Sequence, residues 1–156
     1  MRRWLPYGGA ALTVLMMIVT GCSPSAETAV VQITGNDQMQ YNIDRFEVKA
    51  GQTVRIELSH IGQLDDEVMG HNVVVLKMGE NPEQFAMDVL QNGGSLENDY
   101  VPQAVQGRVI AHTEVVGGGE STSIEFTAPA QPGDYPFLCT FPAHVATMKG
   151  VMVVTP

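Results

Sequence analysis

The chain has 156 residues, 44% of them hydrophobic and 16% charged, with a formal net charge of −9. That length holds one domain with its own core rather than two, and the composition excludes a disordered chain or a coiled coil. Eight Lys and Arg leave no basic footprint for nucleic acid, and two cysteines are too few for a disulfide scaffold.

Residues 1–21 read as an export signal. Arg2 and Arg3 form a positive start, an apolar stretch runs from Ala10 to Val19, and small residues follow. The tetrad Val19-Thr20-Gly21-Cys22 resembles the bacterial lipobox, in which the cysteine is lipidated and becomes the first residue of the mature chain. A plain secretion signal and an uncleaved anchor are the competing readings. A spanning helix needs roughly 20 apolar residues, and Pro6, Gly8 and Gly9 interrupt this one. Residues 22–29 then serve as lipid anchor and tether, and residues 30–156 form the domain. The expected location is the cell-envelope membrane, with the domain facing the periplasm or the exterior. Loss of residues 1–21 also removes Arg2, Arg3 and Trp4, so the exported part is more acidic still. With Cys22 lipidated, Cys139 is the single free thiol, and no intramolecular disulfide forms.

The domain reads as all-β. Val54, Ile56 and Leu58 alternate with Arg55 and Glu57, and Phe46-Glu47-Val48-Lys49 and Ile124-Glu125-Phe126 repeat that period of two. Val73-Val74-Val75-Leu76 is continuously apolar, as in a central strand buried on both faces. Turn residues punctuate these runs at Gly35-Asn36-Asp37, Ala50-Gly51, Gly117-Gly118-Gly119 and Gln131-Pro132-Gly133-Asp134. A β-sandwich or Greek-key barrel follows. One helix interrupts the pattern. Asn81-Pro82-Glu83-Gln84 has an N-cap, a proline at the first helical position and a capping-box glutamine. Phe85 with Val89 and Ala86 with Leu90 pair on one face, and Asn92-Gly93-Gly94 ends the helix.

The chemistry lies between a strand over 135–138 and a strand from Val151. Cys139 is followed five residues on by His144 and four further by Met148. Thiolate, imidazole and thioether are soft or borderline donors that together favour copper. A second histidine completes the trigonal set of two His and one Cys with a weak axial Met that serves electron transfer. Of His60, His71, His112 and His144, His71 is the best second ligand, because Gly70-His71-Asn72 stands where the buried strand begins. His60 and His112 read as structural or surface residues.

Met69-Gly70-His71-Asn72 and Cys139-Thr140-Phe141-Pro142-Ala143-His144, with Met148-Lys149-Gly150, resemble the azurins, blue copper proteins of the cupredoxin fold. Gly35-Asn36-Asp37-Gln38-Met39-Gln40, Leu58-Ser59-His60 and Val109-Ile110-Ala111-His112-Thr113 extend the resemblance from about Val30 to Val154. It implies a cupredoxin Greek-key β-sandwich of eight strands, with a helical flap between the fourth and fifth. It implies one copper ion, Cu(I) or Cu(II), held by His71, Cys139 and His144, with Met148 and the Gly70 carbonyl as weak axial groups. The resemblance likewise places Asn72 and Phe141 behind the ligands, with Asn72 tying the two ligand loops together. By the same resemblance, Met69, Phe141, Pro142 and Ala143 would form an apolar patch through which a redox partner docks. Three departures stand out: the chain lacks the disulfide near the start of azurins, Val73 replaces an aromatic residue, and Ala143 replaces a glycine.

The expected function is one-electron transfer between membrane-associated or periplasmic redox proteins, by a monomer that is not an enzyme. Copper storage or delivery is the alternative. It favours exposed Met-rich or His-rich tracts, which the chain lacks.

Overall fold

The computed structural model describes Met1 and residues 27–156. The expected export signal and the lipid site at Cys22 lie outside the described residues, as does most of the tether. Eight strands carry the domain: β1 Ala29–Gly35, β2 Arg45–Lys49, β3 Thr53–His60, β4 Val74–Leu76, β5 Val109–His112, β6 Ser121–Thr127, β7 Gly133–Leu138 and β8 Lys149–Thr155. They form a three-stranded sheet in the order β1-β3-β6 and a five-stranded sheet in the order β2-β8-β7-β4-β5. β1 runs parallel to β3 and β2 parallel to β8, while the remaining pairs are antiparallel. The fold is the expected β-sandwich.

Its core follows the period of two. Val54, Ile56 and Leu58 of β3 point inward with Ile33 of β1, against Tyr135 and Phe137 of β7 and Met152 and Val154 of β8. β4 explains its unbroken apolar run. Val73 and Val75 face this inter-sheet core, whereas Val74 and Leu76 face a second cluster on the outside of the five-stranded sheet.

That outer cluster is covered by the helical flap between β4 and β5. Helix α1 spans Asp66–Met69, between β3 and β4, and the flap itself holds α2 Pro82–Gln91 and α3 Gln103–Gln106. The two short helices and two 3₁₀ turns add to the one helix legible in the sequence. Phe85, Ala86 and Val89 of α2 are buried, with Val101 and Val105, over Val74, Leu76 and Leu138. The Asn81 side chain accepts from the Gln84 amide at 2.8 Å, as an N-cap should. The expected reciprocal bond is replaced, because the Gln84 side chain turns along the helix to Asp88 at 2.9 Å. Leu90, expected on the buried face, is 47% exposed. Arg108 pins the flap from outside, reaching Glu80 and Asp88 and lying 4.9 Å above the Phe85 ring.

Candidate metal centre

Two loops meet at one end of the sandwich. Gly70-His71-Asn72 connects α1 to β4, and residues 139–148 connect β7 to β8. His71 is fixed through its backbone by reciprocal bonds with Val116, at 3.0 and 2.9 Å. Its Nε2 lies 2.9 Å from the Asn36 carbonyl. A carbonyl only accepts, so the ring proton resides on Nε2 and Nδ1 presents a lone pair inward.

The second loop is closed by its own backbone. The Cys139 amide donates to the Met148 carbonyl at 2.9 Å, and the Met148 amide donates to the His144 carbonyl at 2.8 Å. Ala143 sits in the left-handed region, with φ of 68°, and this reversal starts the 3₁₀ turn His144–Ala146. The resemblance to azurins implies a glycine at this position, which would adopt that conformation without a side-chain clash.

The donor atoms of His71, Cys139 and His144 lie within 4.8 Å of one another, and all three residues are buried. His144 Nδ1 stands 3.2 Å from His71 Nδ1 and 3.6 Å from Cys139 Sγ. The Gly70 carbonyl lies 4.0 Å from Cys139 Sγ, and Met148 is fully buried in the same cluster as Cys139 and Phe141.

Burial sets the protonation of this group. It pushes the Cys139 thiol up to about 11, opposed by the amides of Asn72 and Phe141 and by the Tyr41 hydroxyl. It also pulls His144 down to about 4, assisted by the nearby His71 and His60, and lowers His71 as well. Both imidazoles are therefore neutral at pH 7. Two ring nitrogens and a sulfur converging on one another in a buried site fit a bound cation. Donors sharing one metal at about 2.0–2.3 Å stand roughly 3.3–3.8 Å apart, which the two short separations approach.

Residues 27–155 match the family described as copper binding proteins, plastocyanin/azurin family. The chain belongs to this family. It is 44% identical over 125 residues to the azurin of Alcaligenes faecalis, covering 78% of this chain and 94% of that protein. It is 38% identical over 151 residues to the azurin of Bordetella pertussis, covering 93% of each. Among solved structures it is similar to dithionite-reduced auracyanin from Roseiflexus castenholzii, with a TM-score of 0.71 and 36% identity over 82% of this chain and 98% of that one. It is also similar to auracyanin A, a "blue" copper protein from Chloroflexus aurantiacus, with a TM-score of 0.71 and 29% identity over 83% of this chain and 100% of that one. Copper is the cofactor of the family, and the buried N, N and S donors suit it.

Other residues complete the centre. Asn72 takes the Thr140 amide on Oδ1 at 2.9 Å and donates from Nδ2 to Thr140 Oγ1 at 2.8 Å and to the Asp99 carbonyl at 2.7 Å. Phe141 is buried, with its ring centroid 4.7 Å from that of His144 and 5.1 Å from that of Tyr100. It therefore packs the loop and adds little to the expected patch. Pro142 is half-buried and Ala143 exposed, while Met69 is half-buried. Pro142 and Ala143 adjoin a shallow cavity of about 170 Å³ shared with Met87 and Leu90 of α2, so the apolar surface extends onto the flap.

Four further residues shape the centre, and the sequence reading gives none of them a role there. His60 is buried and stacked on the His71 ring at 4.3 Å, with Nε2 2.9 Å from the Met69 carbonyl. Tyr41 donates its hydroxyl to the Asn72 carbonyl. Asn36 orients His71. Gly35 leaves room for that ring, since a Cβ there would stand 2.5 Å from His71 Cδ2. His112 is half-buried at the end of β5, with Nδ1 3.1 Å from the Thr113 carbonyl.

Proposed function

We propose that this protein is a blue copper electron carrier that passes single electrons between redox proteins and turns over no substrate of its own. The observation that carries the reading is the burial of His71, Cys139 and His144 with their donor atoms facing one another. Copper held there supplies a one-electron couple, Cu(I)/Cu(II), with Met148 and the Gly70 carbonyl as weak axial groups.

The chain's own residues make that exchange easy. His71 is held by Asn36, and Cys139 by the closed backbone of its loop. Asn72 joins the two loops, so the donors keep their positions whichever charge they face. Burial excludes water, and a buried set of ligands from distant strands retains a metal rather than releasing it. Pro142 and Ala143, in the loop that carries Cys139 and His144, offer an apolar contact suited to a brief encounter with a partner.

Export and lipid attachment at Cys22 belong to the same reading, supported by the charged start, apolar stretch and lipobox-like tetrad. The test is the visible and EPR spectrum of the copper-loaded protein. An intense thiolate-to-copper band and a narrow copper hyperfine splitting are expected, and both vanish in Cys139→Ser. A blue Cys139→Ser variant refutes the ligand assignment.

A further inference from the structure

The strand that carries the chain into the domain points straight at the metal centre. β1 runs from Ala29 to Gly35, and Gly35 lies against the His71 ring. Seven extended residues rise about 3.3 Å each, so Ala29 enters about 20 Å from the centre, at the opposite end of the sandwich. Other contacts mark that far end. The Ala50 amide donates to the Thr155 carbonyl at 2.7 Å, and the Gly51 amide donates to the Ala128 carbonyl at 3.2 Å. The chain is already held before β1 begins, because Gln52 Nε2 donates to the Glu27 carbonyl at 2.9 Å.

This contact shortens the free tether. From Cys22 to Glu27 a fully extended chain spans at most about 18 Å. To lay residues 141–144 on a bilayer, Glu27 must stand about 26 Å above it, the length of β1 and the two residues before it. The tether does not reach. A domain lying on its side brings an acidic surface onto the headgroups, since the formal charge is −9 and falls further once Arg2 and Arg3 are removed. Anionic lipids repel that surface.

We propose that the lipid-tethered domain stands with its metal face turned away from the membrane and that its redox partner is a water-soluble protein. The proposal rests on the reading of Cys22 as the lipid site. The partner that fits presents a small apolar contact to Pro142 and Ala143, with basic residues around it to match the acidic domain. In the exchange one electron leaves the reduced copper protein and reduces one oxidised centre of the partner, with no bond made or broken.

The experiment uses the full lipidated protein on vesicles. Spin labels are placed on the exposed residues Gln38, beside the metal end, and Gln131, at the tether end, through Gln38→Cys and Gln131→Cys. With the copper reduced, vesicles bearing a nickel-chelating lipid should relax the label at Gln131 several-fold more strongly than the label at Gln38. Oxidation of the tethered protein by soluble cytochrome c should match that of the released Cys22→Ser protein within about twofold. Stronger relaxation at Gln38, equal relaxation at both labels, or oxidation slowed more than tenfold by the membrane overturns the orientation while Cys22-dependent binding stands. A Cys22→Ser protein that stays on the vesicles overturns the lipid anchor, and the orientation with it.

Discussion

Asn72 and Thr140 are joined twice: the Thr140 amide donates to Asn72 Oδ1 at 2.9 Å, and Asn72 Nδ2 donates to Thr140 Oγ1 at 2.8 Å. Both residues are buried, and each follows a residue whose side chain faces the centre. Asn72→Ala removes both bonds and a third to the Asp99 carbonyl, leaving a buried amide unsatisfied. The expected cost is about 2–4 kcal/mol of unfolding free energy. Chemical denaturation of metal-free protein measures it, and a loss below about 0.5 kcal/mol rules out the joining role.

Equatorial and axial positions should separate on substitution. Met148→Leu keeps a large apolar side chain in the buried cluster, so the copper protein stays blue while its potential rises as a weak donor is lost. His71→Ala takes a nitrogen from the convergent set and should weaken copper binding and distort the spectrum far more. Loss of metal in Met148→Leu with a normal spectrum in His71→Ala reverses this ranking. Voltammetry and copper titration report both.

Ala143 stands at φ of 68°, a conformation costing a residue with a Cβ about 1–2 kcal/mol. Ala143→Gly relieves that strain, while extra freedom in the unfolded chain returns part of the gain. The net expectation is stabilisation of about 0.5–1 kcal/mol, a rise in midpoint of a few degrees, and an unchanged spectrum. Ala143→Asp tests docking at the same position, since Asp tolerates left-handed backbone. Electron exchange with the partner should slow while the spectrum stays fixed, and unchanged exchange removes Ala143 from the contact.

Metal-free protein should lose stability as the pH falls from about 6.5 toward about 4. Burial lowers His144 to about 4 and lowers His71 too, so over this range the unfolded chain binds protons that the folded chain refuses. Stability therefore rises with pH there, by up to about 1.4 kcal/mol per unit for each imidazole. Thermal melts between pH 4 and 7 measure the slope. A flat profile means that the unfolded and folded chains take up these protons alike.

Much of this protein is determined locally and can be read along the chain. The alternation in Val54-Arg55-Ile56-Glu57-Leu58 requires a one-sided strand, because successive side chains leave opposite faces. The Asn81-Pro82 start and the Gly93 stop bound α2 by capping alone. The ligand types and spacing of Cys139, His144 and Met148 name the metal, since softness of donor atoms is a property of residues and not of their arrangement. What the tertiary structure decided concerns pairs far apart in sequence. No local rule brings Asn36 to the His71 ring, stacks His60 on it, or sets the Tyr41 hydroxyl on the Asn72 carbonyl. Nor does helical spacing say that Leu90 faces solvent while Phe85 and Val89 are buried, because the residues packed beneath the helix decide where its buried stripe ends. The direction of β1 is of the same kind. Only pairing with β3 points Gly35 at the metal centre and leaves Ala29 at the far end. Contacts between distant segments depend on how the sheets pack, and packing is a property of the whole chain.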